Sequence, residues 1–402
     1  MAPNTLILFT LNYPYGIGEE FIENEIEEAS NHYAKIVIVP NETKGRKRSV
    51  PLNAEVRKWT DFDAKSDRPS LIKFAKLFFK ELLLQRKEIL FRIKSIKVSW
   101  NYYKEQFIKS FALNQLLGGF KHDESILLYD FWVTNNALAI SLSKENFPDT
   151  KYIACTHNFD LYDFRWGCPI PFRGVSMFHA DAIFPDSKYG VKYLKSKVPE
   201  SLHHKIKLAY MGTPDFGISP VPENKVVTIL STSRCIPHKR IDWIIRAIAD
   251  LENVKYKWIH FGDGEAQEEL KKLASELLPK DSYTFFGWVD FDKLIKFYKE
   301  TPIDIFIHMS TAEGLPVSLM IASSFGVPIV AIDSMGVPEL INPTTGHLLS
   351  SDSTIKDVKF AIEEVLLNMS RSSELRLKAR EYCLKNFSTD NYKEFYSKKL
   401  KF

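Results

Sequence analysis

The chain has 402 residues, of which 45% are hydrophobic and 26% charged, a balance that favours a folded protein of two domains. Its formal net charge of +4 is small for this length, so we expect no nucleic-acid partner. The four cysteines form no CxxC pair, which argues against a zinc site or a disulfide framework and predicts reduced thiols.

The amino-terminal run Met1–Leu11 is short and apolar and lacks a basic leader, so it predicts a first strand rather than a signal peptide. No stretch reaches the roughly 18 apolar residues of a membrane span. These features predict a cytoplasmic protein, with peripheral contact to the inner face of the membrane left open.

Short apolar runs alternate with helical patterns along both halves of the chain. The runs show little polar alternation, which is typical of parallel strands covered by helices on both faces. They predict an α/β fold of two doubly wound, Rossmann-like domains facing across a cleft. The predicted strands are Thr5–Leu11, Lys35–Val39, Ile126–Tyr129, Tyr152–Thr156, Ala182–Pro185, Ile206–Tyr210, Val226–Leu230, Lys257–Phe261, Tyr283–Phe286, Ile303–His308 and Pro328–Ile332.

A segment rich in Gly and Pro, Met211–Pro222, interrupts this alternation and predicts the linker. We therefore expect an amino-terminal domain over 1–212 that binds the acceptor and a carboxyl-terminal, nucleotide-binding domain over 213–384. We expect the last residues, 385–402, to form a helix that packs back on the first domain. Parallel sheets bind ligands at the carboxyl ends of their strands, so a ligand would lie between the two domains.

The segment Leu71–Phe120 is unusually rich in Lys, Arg and aromatic residues at helical spacing. Helices of this kind can lie on an anionic membrane surface. An ordinary pair of amphipathic helices with a solvated basic face would have the same pattern. Both interpretations stay open at the level of sequence.

Two cations, Arg234 and Lys239, follow the predicted strand Val226–Leu230. At a strand end they could neutralise a diphosphate leaving group, although exposed surface cations are the commoner explanation of such a pair. Gly262 lies in a second strand-end turn, Phe261–Glu265, where glycine permits close approach of a ligand to the backbone. Asp263 in that turn could simply cap the next helix.

A third motif runs from His308 to Met320, with Glu313 on a loop after a buried strand. Pro316 suits the first turn of a helix, and the free N–H groups at Gly314 and Leu315 would form an anion site. Glu313 beside them could accept hydrogen bonds from sugar hydroxyls.

Taken in order, these motifs resemble the retaining glycosyltransferases of family four, the group 1 transferases of GT-B architecture. The resembling string is SR….K, FGDGE, FFGWV, STAEGLPVSLM, GVPIVA and GVPELI, and it covers about residues 226–350. The first half resembles the family more loosely, through PYGIGE at 14–19 and THNFD at 156–160, and is similar to bacterial polysaccharide and lipopolysaccharide transferases.

The resemblance implies a role for each matching residue. The donor would be a nucleoside-diphosphate sugar and the acceptor a glycan or a lipid-linked glycan, with retention of configuration and neither a metal nor another cofactor. Glu313 and His157 would be the catalytic residues beside the donor sugar. The implied ligands of the donor phosphates and sugar are Arg234, Lys239, Gly16, Gly18, Gly314 and Leu315, and those of the nucleotide region are Gly262, Trp288 and position 321.

Position 321 departs from the family pattern. The family's E-x7-E motif begins at Glu313 and places a second glutamate, which binds the ribose hydroxyls, where this chain has Ile321. Isoleucine accepts no hydrogen bond, and its presence could cost about 1.5–3 kcal/mol of nucleotide affinity. A weakened enzyme, ribose recognition by another residue and a non-catalytic binding subunit all stay open. A nicotinamide enzyme is disfavoured because no GxGxxG follows the first strand.

Overall fold

The computed structural model describes residues 4–62, 70–84, 93–121, 124–223 and 225–400. The chain divides into two compact units, Met1–Tyr210 with Asn391–Phe402 and Met211–Asp390. Each unit has a sheet and an apolar core of its own.

The first unit is built on a six-stranded parallel sheet in the order β3-β2-β1-β4-β5-β6. Its central strands are almost wholly buried because helices cover both faces. The order of the strands reverses between β1 and β4, because β2 and β3 lie on one side of β1 and β4, β5 and β6 lie on the other. Sheets of this kind bind ligands at that point. The strands are β1 Thr5–Thr10, β2 Lys35–Pro40, β3 Ala54–Val56, β4 Ile126–Asp130, β5 Lys151–Thr156 and β6 Ala182–Pro185.

Helices on both faces bury the apolar side chains of this sheet. They are α1 Phe21–Ser30, α2 Leu71–Leu84, α3 Ile93–Gly118, α4 Val133–Ser143, α5 Asp163–Trp166, α6 Arg173–His179 and α7 Lys188–Lys197, with 3-10 turns at Trp59–Asp61 and Glu200–Lys205.

The end of the chain packs into the core of the first unit. Helix α14 (Asp390–Glu394) leads into a π-helical turn, Phe395–Lys399, whose Phe395 and Tyr396 lie among the side chains of α1 and the sheet. The Tyr396 hydroxyl donates a 3.1 Å hydrogen bond to Glu25 on α1, and the Tyr129 hydroxyl donates one of 2.8 Å to the same oxygen. This buried carboxyl group therefore joins the last turn of the chain to the first helix.

Replacing Glu25 by glutamine is expected to stabilise the protein above neutral pH. Burial raises the pKa of Glu25 from 4.5 to about 7, although both tyrosine hydrogen bonds lower it. The folded state thus holds this proton more tightly, and the free energy of unfolding should fall as pH rises from about 4.5 to about 7. An amide keeps an acceptor without the charge, so Glu25→Gln should gain roughly 2–3 kcal/mol at pH 8 and nothing at pH 4.

Urea unfolding at pH 4 and pH 8 measures this difference. The control is Glu27→Gln on the exposed face of the same helix, which should behave as the unmodified protein. A Glu25→Gln protein that is less stable than the unmodified one at pH 8 would contradict the argument.

Helices α2 and α3 divide the basic segment into two parts of different character. Helix α3 is half-buried and packs Tyr102, Tyr103 and Phe107 against α4 and Phe172. Helix α2 buries one face in the same cluster but leaves large apolar side chains exposed on the other. Residues 85–92, which belong to the predicted basic segment, lie outside the described ranges.

The second unit repeats the architecture with a six-stranded parallel sheet in the order β12-β11-β10-β7-β8-β9. Its strands are β7 Val227–Thr232, β8 Tyr256–Phe261, β9 Tyr283–Gly287, β10 Ile305–His308, β11 Ile329–Ile332 and β12 Gly346–Leu349. Its helices are α8 Ile241–Ala249, α9 Gln267–Leu277, α10 Phe291–Glu300, α11 Val317–Ser324, α12 Ile355–Asn368 and α13 Ser373–Phe387, with 3-10 turns at Pro237–Lys239 and Val337–Glu339.

These two sheets confirm the prediction of an α/β fold with two doubly wound domains. One predicted strand is wrong: Ile206–Tyr210 forms only an isolated bridge from Ile206 to Ile183, with further backbone bonds from Lys207 and Ala209. Strands β3 and β12 were not predicted, because both are short and only partly buried and so lack a continuous apolar run. Among the helices of the described ranges, none is both long and apolar enough to cross a membrane.

Candidate functional site

Loops from neighbouring strands meet at the carboxyl edge of the second sheet. Strand β10 lies between β7 and β11, so the loops that follow these three strands are adjacent. The backbone N–H of Thr311 donates a 2.9 Å hydrogen bond to the carbonyl of His238. The N–H of Gly336 lies 3.4 Å from the carbonyl of Glu313. These bonds hold the three loops together as one surface.

Lys239 and Glu313 form a largely buried ion pair at this surface. The Lys239 ammonium donates a short hydrogen bond to Oε1 of Glu313. Nε2 of His308, at the end of β10, lies 3.2 Å from the same oxygen. Both of these contacts are made by Oε1, so neither of them occupies the second carboxylate oxygen, Oε2. Glu313 is therefore held by one oxygen and has the other available to a ligand.

The charge of Glu313 is fixed by its neighbours. Burial alone would raise its pKa, but the Lys239 ammonium and the contact with His308 outweigh burial and hold the pKa well below its usual range. The carboxylate is consequently ionised throughout the physiological pH range and acts as a hydrogen-bond acceptor.

Arg234 lies on the loop after β7 and differs from Lys239 in its surroundings. Its side chain is exposed, and its guanidinium makes no ion pair or hydrogen bond with the described part of the chain. An exposed, unpaired guanidinium can bind a phosphate without first losing a protein partner.

Gly262 lies where two strand-end loops touch. Its φ is +130°, and a Cβ atom there would come within 1.9 Å of the carbonyl oxygen of Ser233. Backbone bonds join the two loops on either side, from Ser233 N to Phe261 O at 3.0 Å and from Cys235 N to Asp263 O at 2.7 Å. Gly262 therefore determines how close the loop that carries Arg234 lies to β8. Asp263 makes no side-chain cap of α9, whose N-cap residue is Ala266.

Trp288 directly follows β9 at the same edge of the sheet and is 45% exposed. The N–H of Gly262 donates a 2.8 Å hydrogen bond to the carbonyl of Gly287, which places the predicted nucleotide residues Gly262 and Trp288 on neighbouring strand ends.

Helix α11 begins at this edge with Val317. Pro316, which was predicted to lie in the first turn of the helix, is instead its N-cap residue. Gly314 and Leu315 are buried just before it. The hydroxyl groups of Ser310 and Ser334 are buried nearby on the flanking loops and have no hydrogen-bond partner among the described residues. A bound polar ligand would satisfy such groups.

Ile321 lies in the second turn of α11 and is 4% exposed. Its side chain is thus almost wholly buried. The backbone geometry of the motif is present, whereas the second carboxylate is not.

In the first unit, Gly16 and Gly18 lie on the loop after β1, both with positive φ. Glu19 fixes this loop: its carboxylate accepts hydrogen bonds from the backbone N–H groups of residues 11, 12 and 13 and from the Trp132 indole. These contacts show that Glu19 organises the glycine-containing loop.

His157 follows β5 at the same edge of the first sheet. Its ring stacks on Phe131, with centroids 4.7 Å apart, and lies 4.6 Å from the Trp132 ring. Burial lowers its pKa to about 3, so the imidazole is neutral at physiological pH. Its Nδ1 atom has no partner among the described residues. Trp132 contacts both His157 and Glu19, so it joins the histidine to the loop that carries Gly16 and Gly18.

His308 is a site residue to which sequence reasoning gave no role. It was visible as a histidine at the end of an apolar strand, five residues before Glu313. A lone histidine there is ordinarily a core residue, and only the folded chain shows its contact with Glu313.

Comparison with known proteins finds similarity to one family over the second unit. Residues 216–383, which lie within the second unit, match the family model "Glycosyl transferases group 1". An uncharacterized glycosyltransferase of Haemophilus influenzae is 29% identical over 174 residues, 40% of this chain and 48% of the relative. The lipopolysaccharide core biosynthesis glycosyltransferase LpsE of Rhizobium meliloti is 26% identical over 168 residues, 42% of this chain and 48% of the relative. These matches span about half the length of the relatives.

Among solved structures, Anabaena Alr3699/HepE in complex with UDP-glucose is similar over 98% of this chain and 99% of its own, with a TM-score of 0.66 and 14% identity. Such a likeness establishes the fold. The predicted family resemblance and the GT-B fold are both confirmed.

Proposed function

We propose that this chain, whose second unit is a group 1 glycosyltransferase domain, transfers a sugar from a nucleoside-diphosphate sugar to a glycan or lipid-linked glycan. We further propose that it does so in the cytoplasm, with retention of anomeric configuration and without a metal or other cofactor. The relative in Rhizobium meliloti supports a role in the synthesis of bacterial surface polysaccharide or lipopolysaccharide.

The observation that carries this proposal is the position of Glu313. It is an ionised, buried carboxylate that keeps one oxygen available, and it lies between a cation, Lys239, and the start of α11. A sugar joined to a diphosphate has hydroxyl groups that donate and phosphates that carry negative charge. The surface offers the Glu313 carboxylate as an acceptor for the hydroxyl groups, and it offers cations for the phosphates.

The chemistry follows from this arrangement. Transfer breaks the bond between the anomeric carbon and the diphosphate, and negative charge accumulates on the departing phosphate. Arg234, Lys239 and the backbone N–H groups at the start of α11 would stabilise that charge. Glu313 would orient the donor sugar through its hydroxyl groups. In the first unit, Gly16, Gly18 and the neutral His157 are the proposed donor-facing residues.

Ile321 motivates an alternative, a GT-B-fold subunit that binds ligand or partner without turnover. The missing carboxylate weakens ribose recognition, while the cations and Glu313 remain in place.

A thermal-shift panel of UDP-, GDP-, ADP- and dTDP-sugars tests ligand binding directly. The true donor binds only the folded state, and at about 100 times its Kd it should stabilise by roughly 2.7 kcal/mol, a rise in Tm of about 5–10 °C. If no sugar nucleotide raises Tm, the proposed function is wrong. Transfer to candidate acceptors, with the product's anomeric configuration read by NMR, then tests catalysis and retention.

Ile321→Glu and the control Ile321→Leu separate the two functions. We expect the unmodified protein to turn over and Ile321→Glu to bind donor about tenfold more tightly, because a charged acceptor for the ribose is restored. Turnover by neither protein, with donor binding intact, would favour the binding subunit.

A further inference from the structure

One face of helix α2 exposes several large apolar side chains. Ile72, Phe79 and Leu83 are spaced seven and four residues apart, so they lie on one side of the helix. They are 72%, 64% and 68% exposed, and Leu71 at the start of the helix is 70% exposed. We call these four residues and Lys76 among them the α2 face.

The opposite side of α2 is firmly anchored, so the α2 face is a fixed surface. Phe74 and Phe78 stack on each other and lie against Phe172 in an aromatic cluster. Glu81 accepts hydrogen bonds from the backbone N–H groups of Gly174 and Val175 at the start of α6, at 2.9 and 2.7 Å. These contacts fix the rotation of α2 and direct its apolar row outward.

The charges of α2 indicate what this face would contact. The helix carries three lysines and a single acid, Glu81, which is buried. Lys73 pairs with Glu145, whereas Lys76 is exposed within the apolar row. Lys80 lies 4.0 Å from the ring centroid of Phe178, which is itself 48% exposed on α6. The face therefore combines apolar side chains with cations and exposes no acid of its own helix.

We propose that the α2 face docks on the surface of an anionic phospholipid bilayer. Ile72, Phe79 and Leu83 would enter the interface between headgroups and acyl chains, while Lys76 and Lys80 bind lipid phosphates. Among the described residues of 71–120 this assigns lipid contact to α2 rather than to α3, because the described aromatic side chains of α3 pack within the unit. The inference does not depend on the proposed sugar transfer.

Flotation of the full chain with phosphatidylcholine vesicles, with and without phosphatidylglycerol, tests the proposal. The protein should float with the anionic vesicles, and the bound fraction should fall as salt is raised. The variant Ile72→Ser/Phe79→Ser/Leu83→Ser should bind at least about tenfold more weakly. The variant Lys76→Gln/Lys80→Gln should lose roughly thirtyfold on anionic vesicles, since each lysine near the surface contributes about 1 kcal/mol.

A matched control removes exposed apolar residues elsewhere. Phe360 and Leu367 on α12 are 65% and 84% exposed, and Phe360→Ser/Leu367→Ser should bind vesicles as the unmodified protein does. The Tm of every variant, measured without lipid and without donor, reports folding independently of vesicle binding. Absence of flotation, an equal loss in the control, or a concentration-dependent dimer that only the α2 variant abolishes without any lipid binding would each overturn the proposal.

Discussion

Replacing Lys239 by methionine is expected to abolish sugar transfer and to lower the free energy of unfolding at pH 8 by about 3 kcal/mol. Methionine keeps the apolar length of the lysine but leaves the buried Glu313 carboxylate without its ammonium partner. The loss of transfer has a second cause, since the same ammonium would stabilise the departing diphosphate. The two effects can be separated because the loss of stability depends on the charge of Glu313, whereas the loss of diphosphate stabilisation does not.

The variant Lys239→Met/Glu313→Gln makes that separation. Removing both charges should restore most of the lost stability, while transfer stays at least about a hundredfold below that of the unmodified protein. Denaturant unfolding and initial transfer rates on the single and double variants form the complete cycle. Because Glu313 itself is proposed to orient the donor, transfer by the double variant is compared with transfer by Glu313→Gln. Equal transfer rates in these two variants would show that Lys239 acts through folding alone.

The pH dependence of the same variants follows from the direction of the Glu313 pKa shift. The pKa of Glu313 is depressed in the folded protein, so its contribution to stability is present above the unfolded pKa of about 4.5 and is lost as pH falls below it. Without Lys239, burial dominates and favours the protonated acid. The stability deficit of Lys239→Met should therefore shrink between pH 8 and pH 5, and a deficit independent of pH would contradict this account.

Replacing Gly262 by alanine is expected to destabilise the second unit by at least about 4 kcal/mol and to remove donor binding. The added Cβ would lie 1.9 Å from the carbonyl oxygen of Ser233, and a backbone atom held by loop-to-loop hydrogen bonds cannot yield as a side chain does. Either the chain fails to fold or the loop that carries Arg234 moves away from β8. Soluble yield, Tm and the donor-induced rise in Tm measure both outcomes.

Gly217→Ala is the matched control for this substitution. Gly217 belongs to the same unit and has a φ of +100°, but a Cβ there would meet nothing within 4 Å. It should cost only the backbone strain, about 1–2 kcal/mol, and leave donor binding intact. Equal losses in the two variants would show that φ rather than the contact with Ser233 makes Gly262 necessary.

The sequence predicted much of the fold because buried parallel strands have a strong local signal. Strands β1, β2, β4, β5 and β6, and β7 through β11, were found as apolar runs. The segment Ile206–Tyr210 carries a similar run and lies beside β6, but it forms only a single bridge there and no strand. The short strands β3 and β12 owe their conformation to pairing at the sheet edges, which sequence patterns do not report.

The candidate site was only partly visible before folding. Arg234, Lys239 and Glu313 were singled out by their positions after apolar strands. Other residues of the same surface were not: His308 and Ser334 became site residues only when β7, β10 and β11 lay side by side. In the first unit, Glu19 holds the loop after β1 through partners on that loop and through Trp132, which is distant in the sequence.

The sequence by itself determined that this protein has two doubly wound domains and carries a group 1 glycosyltransferase motif with an isoleucine in place of its second glutamate. Those features are encoded in residue types and spacing along the chain. Only the tertiary structure decided that Glu313 is ionised with one oxygen available, that α3 is a packed helix and that α2 exposes an apolar face. Electrostatics and burial depend on neighbours in space, and the chain order alone does not give those neighbours.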